Sequence, residues 1–425
     1  MATLGFNSTR MASLAVSDLL FLACGFVIVV QMLNGDSRDL ATPEMRRASP
    51  IVMAGSILLL TAGALSSFGA WDVYGSVQVV MRFVWLTFIW FWILRAICRD
   101  RHALFLLARG WRAGVLITAL IGVISEVGIM QIGATNAEGR QTGFFAHPNE
   151  FAALLAVGLP LLALDVPSPD GTREGRRSMA LRLGLVGVTL VGIASSGSMT
   201  ATLSAVAGVG AAFAIMLLSG ASRSGRQRNP VTGLVILVVT AVGLFFLSTS
   251  DLPVVERFTR LQEGDRYVEA SIGERENRNN RAIQKLPDTI VVGTGLQLPE
   301  GGATRVGEVI AVDPESVRGI HNMYLKVAHE AGVPGLVGLL VVMLASLNQC
   351  WRLALNTRGT ELDRLSAALF GATIAAACQA MFHPIVYQRY FWITMAMTGC
   401  LWAVRRQELR SARDEMLRSA RGGGT

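Results

Sequence analysis

The chain has 425 residues, of which 52% are hydrophobic and 16% charged, with a mean hydropathy of +0.47. Soluble globular proteins carry roughly a quarter charged residues, so this composition excludes that class and points to a polytopic membrane protein. The formal net charge of +8 does not signal nucleic acid, because the arginines cluster in short loops between apolar stretches, where they set membrane orientation.

A helix needs about 20 mostly apolar residues to cross the hydrocarbon core. Candidate spans lie near 11–33, 50–68, 76–97, 112–131, 150–165, 179–197, 199–218, 231–248, 323–345, 365–382 and 386–404. The first has no small-residue cleavage site and is long enough to span, so it is expected to stay as a membrane helix. Basic loops hold Arg38, Arg46 and Arg47; Arg99, Arg101 and Arg109; Arg173, Arg176 and Arg177; Arg223, Arg226 and Arg228; and Arg352, Arg358 and Arg364. They alternate with loops at 69–75, 133–149, 198–200 and 383–389, which are poor in Lys and Arg, and with a large polar segment at 249–320. The first set is therefore expected in the cytoplasm and the second outside.

The expected fold is all-α: a polytopic membrane helical bundle of about eleven transmembrane helices with one large external, partly helical loop. Residues 1–248 supply eight helices, 249–320 the external loop, 321–404 three more helices, and 405–425 a basic cytoplasmic tail resting near anionic head groups. Cys24, Cys98, Cys350, Cys378 and Cys400 all lie outside the large loop and form no Cys-x-x-Cys pair. Neither disulfides nor thiolate metal sites are expected.

The large loop interleaves Arg257, Arg260, Arg266, Arg275, Arg278, Arg281, Lys285, Arg305 and Arg318 with carboxylates. Residues 275–287 lack Gly and Pro until their end and predict a short helix, with Arg278, Arg281 and Lys285 close to one face. Val291-Val292-Gly293-Thr294-Gly295 predicts a turn. It lacks the third glycine and the strand-to-helix setting of a nucleotide fold.

Four polar patterns fall on the expected outer side. They are Arg140-Gln141-Thr142-Gly143-Phe144-Phe145-Ala146-His147-Pro148-Asn149, the turn Ser195-Ser196-Gly197-Ser198, Arg278 with Gly293-x-Gly295, and His321-Asn322-Met323-Tyr324 followed by His329-Glu330-Ala331-Gly332-Val333-Pro334-Gly335. Each alone has an ordinary reading. Interfacial arginines, tight Ser/Gly connections and a histidine capping a helix start are common in membrane bundles, and His147 alone reads as an interfacial histidine. His329 and Glu330 are ionisable groups inside a span, but no third ligand at suitable spacing makes a zinc site with His321.

In this order and at these positions between spans, the patterns resemble the O-antigen ligase and O-antigen polymerase superfamily of bacterial envelope membrane glycosyltransferases. The matching pieces are Arg140-x-x-Gly143-x-Phe145-x-x-Pro148-Asn149, Ser195-x-Gly197-Ser198, Arg278 with Gly293-x-Gly295, and His321-Asn322 with Glu330-x-Gly332-x-x-Gly335. The resemblance implies an enzyme of the inner (plasma) membrane that moves a glycan from an undecaprenyl-diphosphate carrier to an acceptor hydroxyl on the periplasmic face. It implies no cofactor and no bound metal. The partners would be a polyprenyl-diphosphate-linked glycan donor, a glycan, lipid or protein acceptor, and the bilayer, with no nucleic acid. An O-antigen ligase, a polysaccharide polymerase and a protein O-oligosaccharyltransferase share the pattern.

By that resemblance the family's loop histidine is His321, its loop arginine Arg278 and its first arginine Arg140. An aromatic often follows the loop arginine by one helical turn, whereas this chain has Ala282, and Arg275 and Arg281 compete with Arg278 for the match. Chemically, arginine binds phosphate oxygens bidentately and keeps its proton, and imidazole can take a hydroxyl's proton near neutral pH. His321 is thus the candidate base, with Arg140, Arg278 and Arg281 candidates for the diphosphate and Asn149, Asn322 and Tyr324 for positioning substrates. A double displacement would need a carboxylate, for which Glu138, Glu274 and Glu276 are candidates. Arg82 and Glu126 are candidates to pair or to line a lipid groove, and Arg389 adds an outer charge. A lipid or polysaccharide transporter is the competing class; ionisable residues at mid-span would favour it.

Overall fold

A computed structural model describes residues 23–27, 29–30, 49–70, 72–98, 100–126, 134–135, 140–143, 145, 147–164, 176–220, 266–296, 319–356 and 361–422. The expected span at 231–248, most of that at 11–33, and the loop segments 249–265 and 297–318 lie outside them. So do Arg257, Arg260, Arg305, Arg318, Glu138 and Phe144.

The described residues form an all-α bundle with one short ribbon. In chain order the elements are α1 (Pro50–Ser67), α2 (Val73–Ile97, with a π-helical turn at Trp85–Ile89), α3 (Arg101–Glu126), β1 (Ala134–Thr135), β2 (Gln141–Gly143) and α4 (Pro148–Ala163). They continue with α5 (Arg176–Ser195), α6 (Met199–Gly220), α7 (Arg266–Thr289), α8 (Met323–Asn356), α9 (Glu361–Ala380) and α10 (Arg389–Gly422). Among the described residues α1, α2, α3, α6 and α8 are long and apolar enough to cross a membrane, and Ile51, Met53, Leu65 and Leu344 turn outward as a lipid-facing surface requires.

Several boundaries differ from the hydropathy reading, α8 for one running to Asn356 rather than near 345. Helix α3 begins at Arg101 rather than near 112, because arginines interrupt an apolar stretch without interrupting a helix, and the Asp100 side chain caps the start by accepting from Ala103 N at 2.8 Å. Helix α10 joins the last apolar stretch to the basic tail in one rod. Arg101 pairs there with Glu408, whose Oε2 lies 2.9 Å from the Arg101 Nη2 donor.

Lipid tails are as apolar as leucine, so helices in a bilayer associate through close packing of small residues. Helices α1 and α8 meet at Gly55 and Gly338, where a Cβ on Gly55 would stand 2.8 Å from Gly338 O and one on Gly338 2.7 Å from Gly55 O. Helices α6 and α9 meet in the same way at Gly208 and Gly371. Short α4 is buried along nearly its whole length and packs against α3, α5, α6 and α9. A helix apolar all round belongs inside a bundle; α4 therefore gives its first turn a rigid base.

Candidate active site

The first turn of α4 builds one corner. Pro148 at its start has a φ already suited to a helix and lacks only a donor that would go unused there. His147 caps this helix, its Nδ1 accepting from Asn149 N at 3.1 Å. Asn149 Oδ1 in turn accepts from Arg140 Nη2 at 3.0 Å, and Arg140 Nε donates to Ser196 O at 2.7 Å. Arg140 and Asn149 are both buried. Arg140 directly precedes β2, and Ser196 lies in the turn between α5 and α6. Two of the four sequence patterns thus meet through one guanidinium.

A second joint forms where 290–296 crosses α8. Gly332 adopts φ 68° and ψ 179°, breaking the helix, and Pro334 has no N–H to give Glu330 O. The crossing loop repairs the break: Gly295 N donates to Glu330 O at 3.0 Å, Thr294 N to His329 O at 3.1 Å, and Val333 N to Ile290 O at 2.7 Å. Such closeness needs glycine on both sides. A Cβ on Gly332 would lie 2.7 Å from Val291 O, and one on Gly293 2.7 Å from Gly332 N. The Gly293-x-Gly295 and Glu330-x-Gly332 patterns are therefore two halves of one contact, which fixes the end of α7 to α8.

Helix α7 is longer than the expected 275–287. Its Ala282 is fully buried, Arg275 and Arg278 are half-buried and Arg281 is exposed. Arg278 pairs with Glu274 one turn earlier at 2.5 Å and lies against Gly319, where a Cβ would overlap the guanidinium. Two residues on, His321 Nδ1 lies 2.5 Å from Gly319 O. A carbonyl only accepts, so Nδ1 carries the proton and Nε2 of the neutral ring is the basic nitrogen. That tautomer is the one a general base at Nε2 requires.

His383, on the turn between α9 and α10, closes the arrangement. Its ring stacks on that of His147 with centroids 6.1 Å apart and planes 24° apart. Burial, then the nearby His147, His321 and Arg275, push its imidazole down to about 3. His147, His321 and Arg275 thus lie near enough to His383 to act on its charge, while Arg140 connects to His147 through Asn149 and Arg278 to His321 through Gly319.

Beneath this turn lies a buried polar network. Lys326 Nζ is 2.6 Å from Glu330 Oε1, and the Tyr387 hydroxyl donates to Glu330 Oε2 at 2.5 Å. Arg82 Nη2 donates to Tyr387 O at 3.0 Å, and Gln388 Nε2 to Glu150 Oε1 at 2.6 Å. Buried charges persist where they are paired and hydrogen-bonded. Here the pairing locks the turn carrying His383 to α2, α4 and α8.

The remaining candidates have local tasks. Asn322 Oδ1 caps α8 by accepting from Leu325 N at 3.0 Å, and the Tyr324 hydroxyl donates to Ala377 O at 3.0 Å. Arg281 is exposed, unlike Arg275 and Arg278. Among the described residues no three His, Cys, Asp or Glu side chains gather as a metal would need. Sequence reasoning gave no role to His383, Lys326, Tyr387 or Gln388. The i, i+4 spacing of Lys326 and Glu330 inside a span was the available signal for that pair, and for His383 it was its place in an outer loop.

No curated protein matches the chain. A family model described as O-antigen ligase matches residues 184–340, the segment holding Ser196, Arg278, the Gly293–Gly332 crossing and His321. That segment is similar to the O-antigen ligase family, and the long apolar helices around it fit a multi-pass membrane protein.

Proposed function

We propose that the protein transfers a glycan from undecaprenyl diphosphate to an acceptor hydroxyl at the periplasmic face of the bacterial inner membrane. The carrying observation is the neighbourhood of His321 with two arginines: Arg278 reaches it through Gly319, and Arg140 through Asn149, His147 and His383.

In this reading His321 Nε2 takes the acceptor's proton as its oxygen attacks the sugar's C1. The bond from C1 to the diphosphate oxygen breaks, and the electron pair leaves with the diphosphate. Arg140 and Arg278 offset the charge that grows there. Displacement from one side inverts the anomeric centre. The lipid A core is the acceptor most in keeping with the family description; a growing polysaccharide or a protein hydroxyl would react by the same chemistry.

The test uses purified protein in detergent, with lipid-linked donor and acceptor and no ion gradient. Transfer is expected, and His321→Ala should lower it by on the order of 10²–10⁴-fold while the protein stays folded. Near-normal transfer by His321→Ala removes the base assignment. Movement of donor across vesicles without any glycosidic product would point to a transporter instead.

A further inference from the structure

His383 Nδ1 is buried, and among the described residues it has no hydrogen-bond partner. The backbone leaves the ring little freedom to seek one: His383 N donates to Gln379 O at 2.9 Å, and Ile385 N donates to His383 O at 2.8 Å, across Pro384. One face stacks on His147, and the turn is anchored from below through Tyr387 and Gln388. A buried polar atom left unsatisfied costs about 1–3 kcal/mol. Where it lies beside reactive groups it calls for a partner absent from the protein itself.

We propose that His383 is a substrate-binding residue of this site, its imidazole holding a hydroxyl of the sugar next to the diphosphate, with His147 stacked on its face to fix the ring. The choice of ligand follows from charge. With its pKa pushed down to about 3 by burial and by the His147, His321 and Arg275 neighbours, the ring is neutral at physiological pH. In a neutral imidazole Nδ1 is a donor or an acceptor according to tautomer, and a hydroxyl, which can accept or donate, suits either. The neutral ring is a poor match for a phosphate, which the arginines suit. The site thus divides its work: guanidinium groups for the leaving diphosphate, His321 for the acceptor proton, His383 for the sugar ring. The inference rests on the glycosyl-transfer reading above and extends it to a specificity residue.

The experiment compares the wild type, His383→Ala and His383→Gln on a polyprenyl-diphosphate hexose and its series of monodeoxy analogues. Wild type should prefer the full hexose over one analogue by roughly 10-fold, the worth of a neutral hydrogen bond. His383→Ala should lose about that factor on the hexose yet equal the wild type on that analogue, and His383→Gln, which keeps a donor and an acceptor, should recover part of it. A merely structural role would lower all donors alike. Binding of the same donors to His321→Ala protein, with and without His383→Ala, repeats the comparison without turnover. Discrimination by His383→Ala that matches the wild type across the whole series overturns the proposal. Absent transfer with preserved, His383-dependent binding discrimination would strike the glycosyl-transfer reading and leave the hydroxyl contact standing.

Discussion

Arg140, linked to His147 through Asn149, and Arg278, linked to His321 through Gly319, have contrasting surroundings. Arg140 is buried at a corner made by α4 and the α5–α6 turn, oriented by two neutral oxygens, Ser196 O and Asn149 Oδ1. Arg278 is half-exposed on α7 and pairs with a carboxylate of its own helix. A buried guanidinium held by oxygens of two different elements is fixed in place, whereas an exposed i, i+4 ion pair is worth only about 0.3–0.5 kcal/mol and is readily exchanged for a better anion. One arginine is thus preorganised and the other adjustable, an arrangement suited to a carrier that must enter, react and leave.

The sharpest way to break this contrast is at the fixed end. Arg140→Ala strips the donor from both oxygens, and transfer should fall on the order of 10²–10³-fold with a lower melting temperature in detergent. Arg140→Lys should be nearly as deep, because one ammonium cannot serve two oxygens and a phosphate in the guanidinium's planar geometry. A lysine variant keeping a third of wild-type transfer would mean that the corner is not rigid in the sense argued.

Next in size is the joint that holds α7. Gly332→Ala places a Cβ 2.7 Å from Val291 O at a backbone conformation almost confined to glycine. The cost should be on the order of 2–4 kcal/mol. Amide exchange should rise across 266–296 and stay unchanged at the first turn of α4. Equal loosening of both would tie the two arginines to one cooperative unit and abolish the contrast. At the adjustable end, Arg278→Lys should lose only about 10-fold, since a mobile ammonium still pairs with phosphate as a point charge.

How far this was legible in the sequence differs from residue to residue. Apolar runs located the helices, and the order of the polar patterns singled out Arg140, Asn149 and His321 as candidates, because each sits where a span meets a loop. The choice among Arg275, Arg278 and Arg281 was not legible, because all three fall near one helical face; in the fold Arg275 and Arg278 are half-buried while Arg281, next to the buried Ala282, is exposed. Nor was the partnership of Gly293 with Gly332, which read as a turn and a helix break while the cause was their mutual contact. The link from Tyr387 to Glu330 spans 57 positions, and nothing local in the sequence announces a contact between separate helical segments.

The smallest effect expected is also the most specific to the contrast. Glu274 is 63% exposed and competes with any phosphate for Arg278. Glu274→Gln removes that competitor while keeping the side chain's shape, so donor KM should fall less than about threefold with kcat little changed. The wild type pays a screened electrostatic cost that the variant does not. Raising ionic strength to ~0.5 M shortens the screening length to a few ångströms and should bring their donor KM values together. The same substitution in an Arg278→Lys background should do less, since the cation it releases is the weaker ligand. If Glu274→Gln instead raises KM, the carboxylate is holding Arg278 in its working position, and Arg278 belongs with Arg140 among the fixed groups.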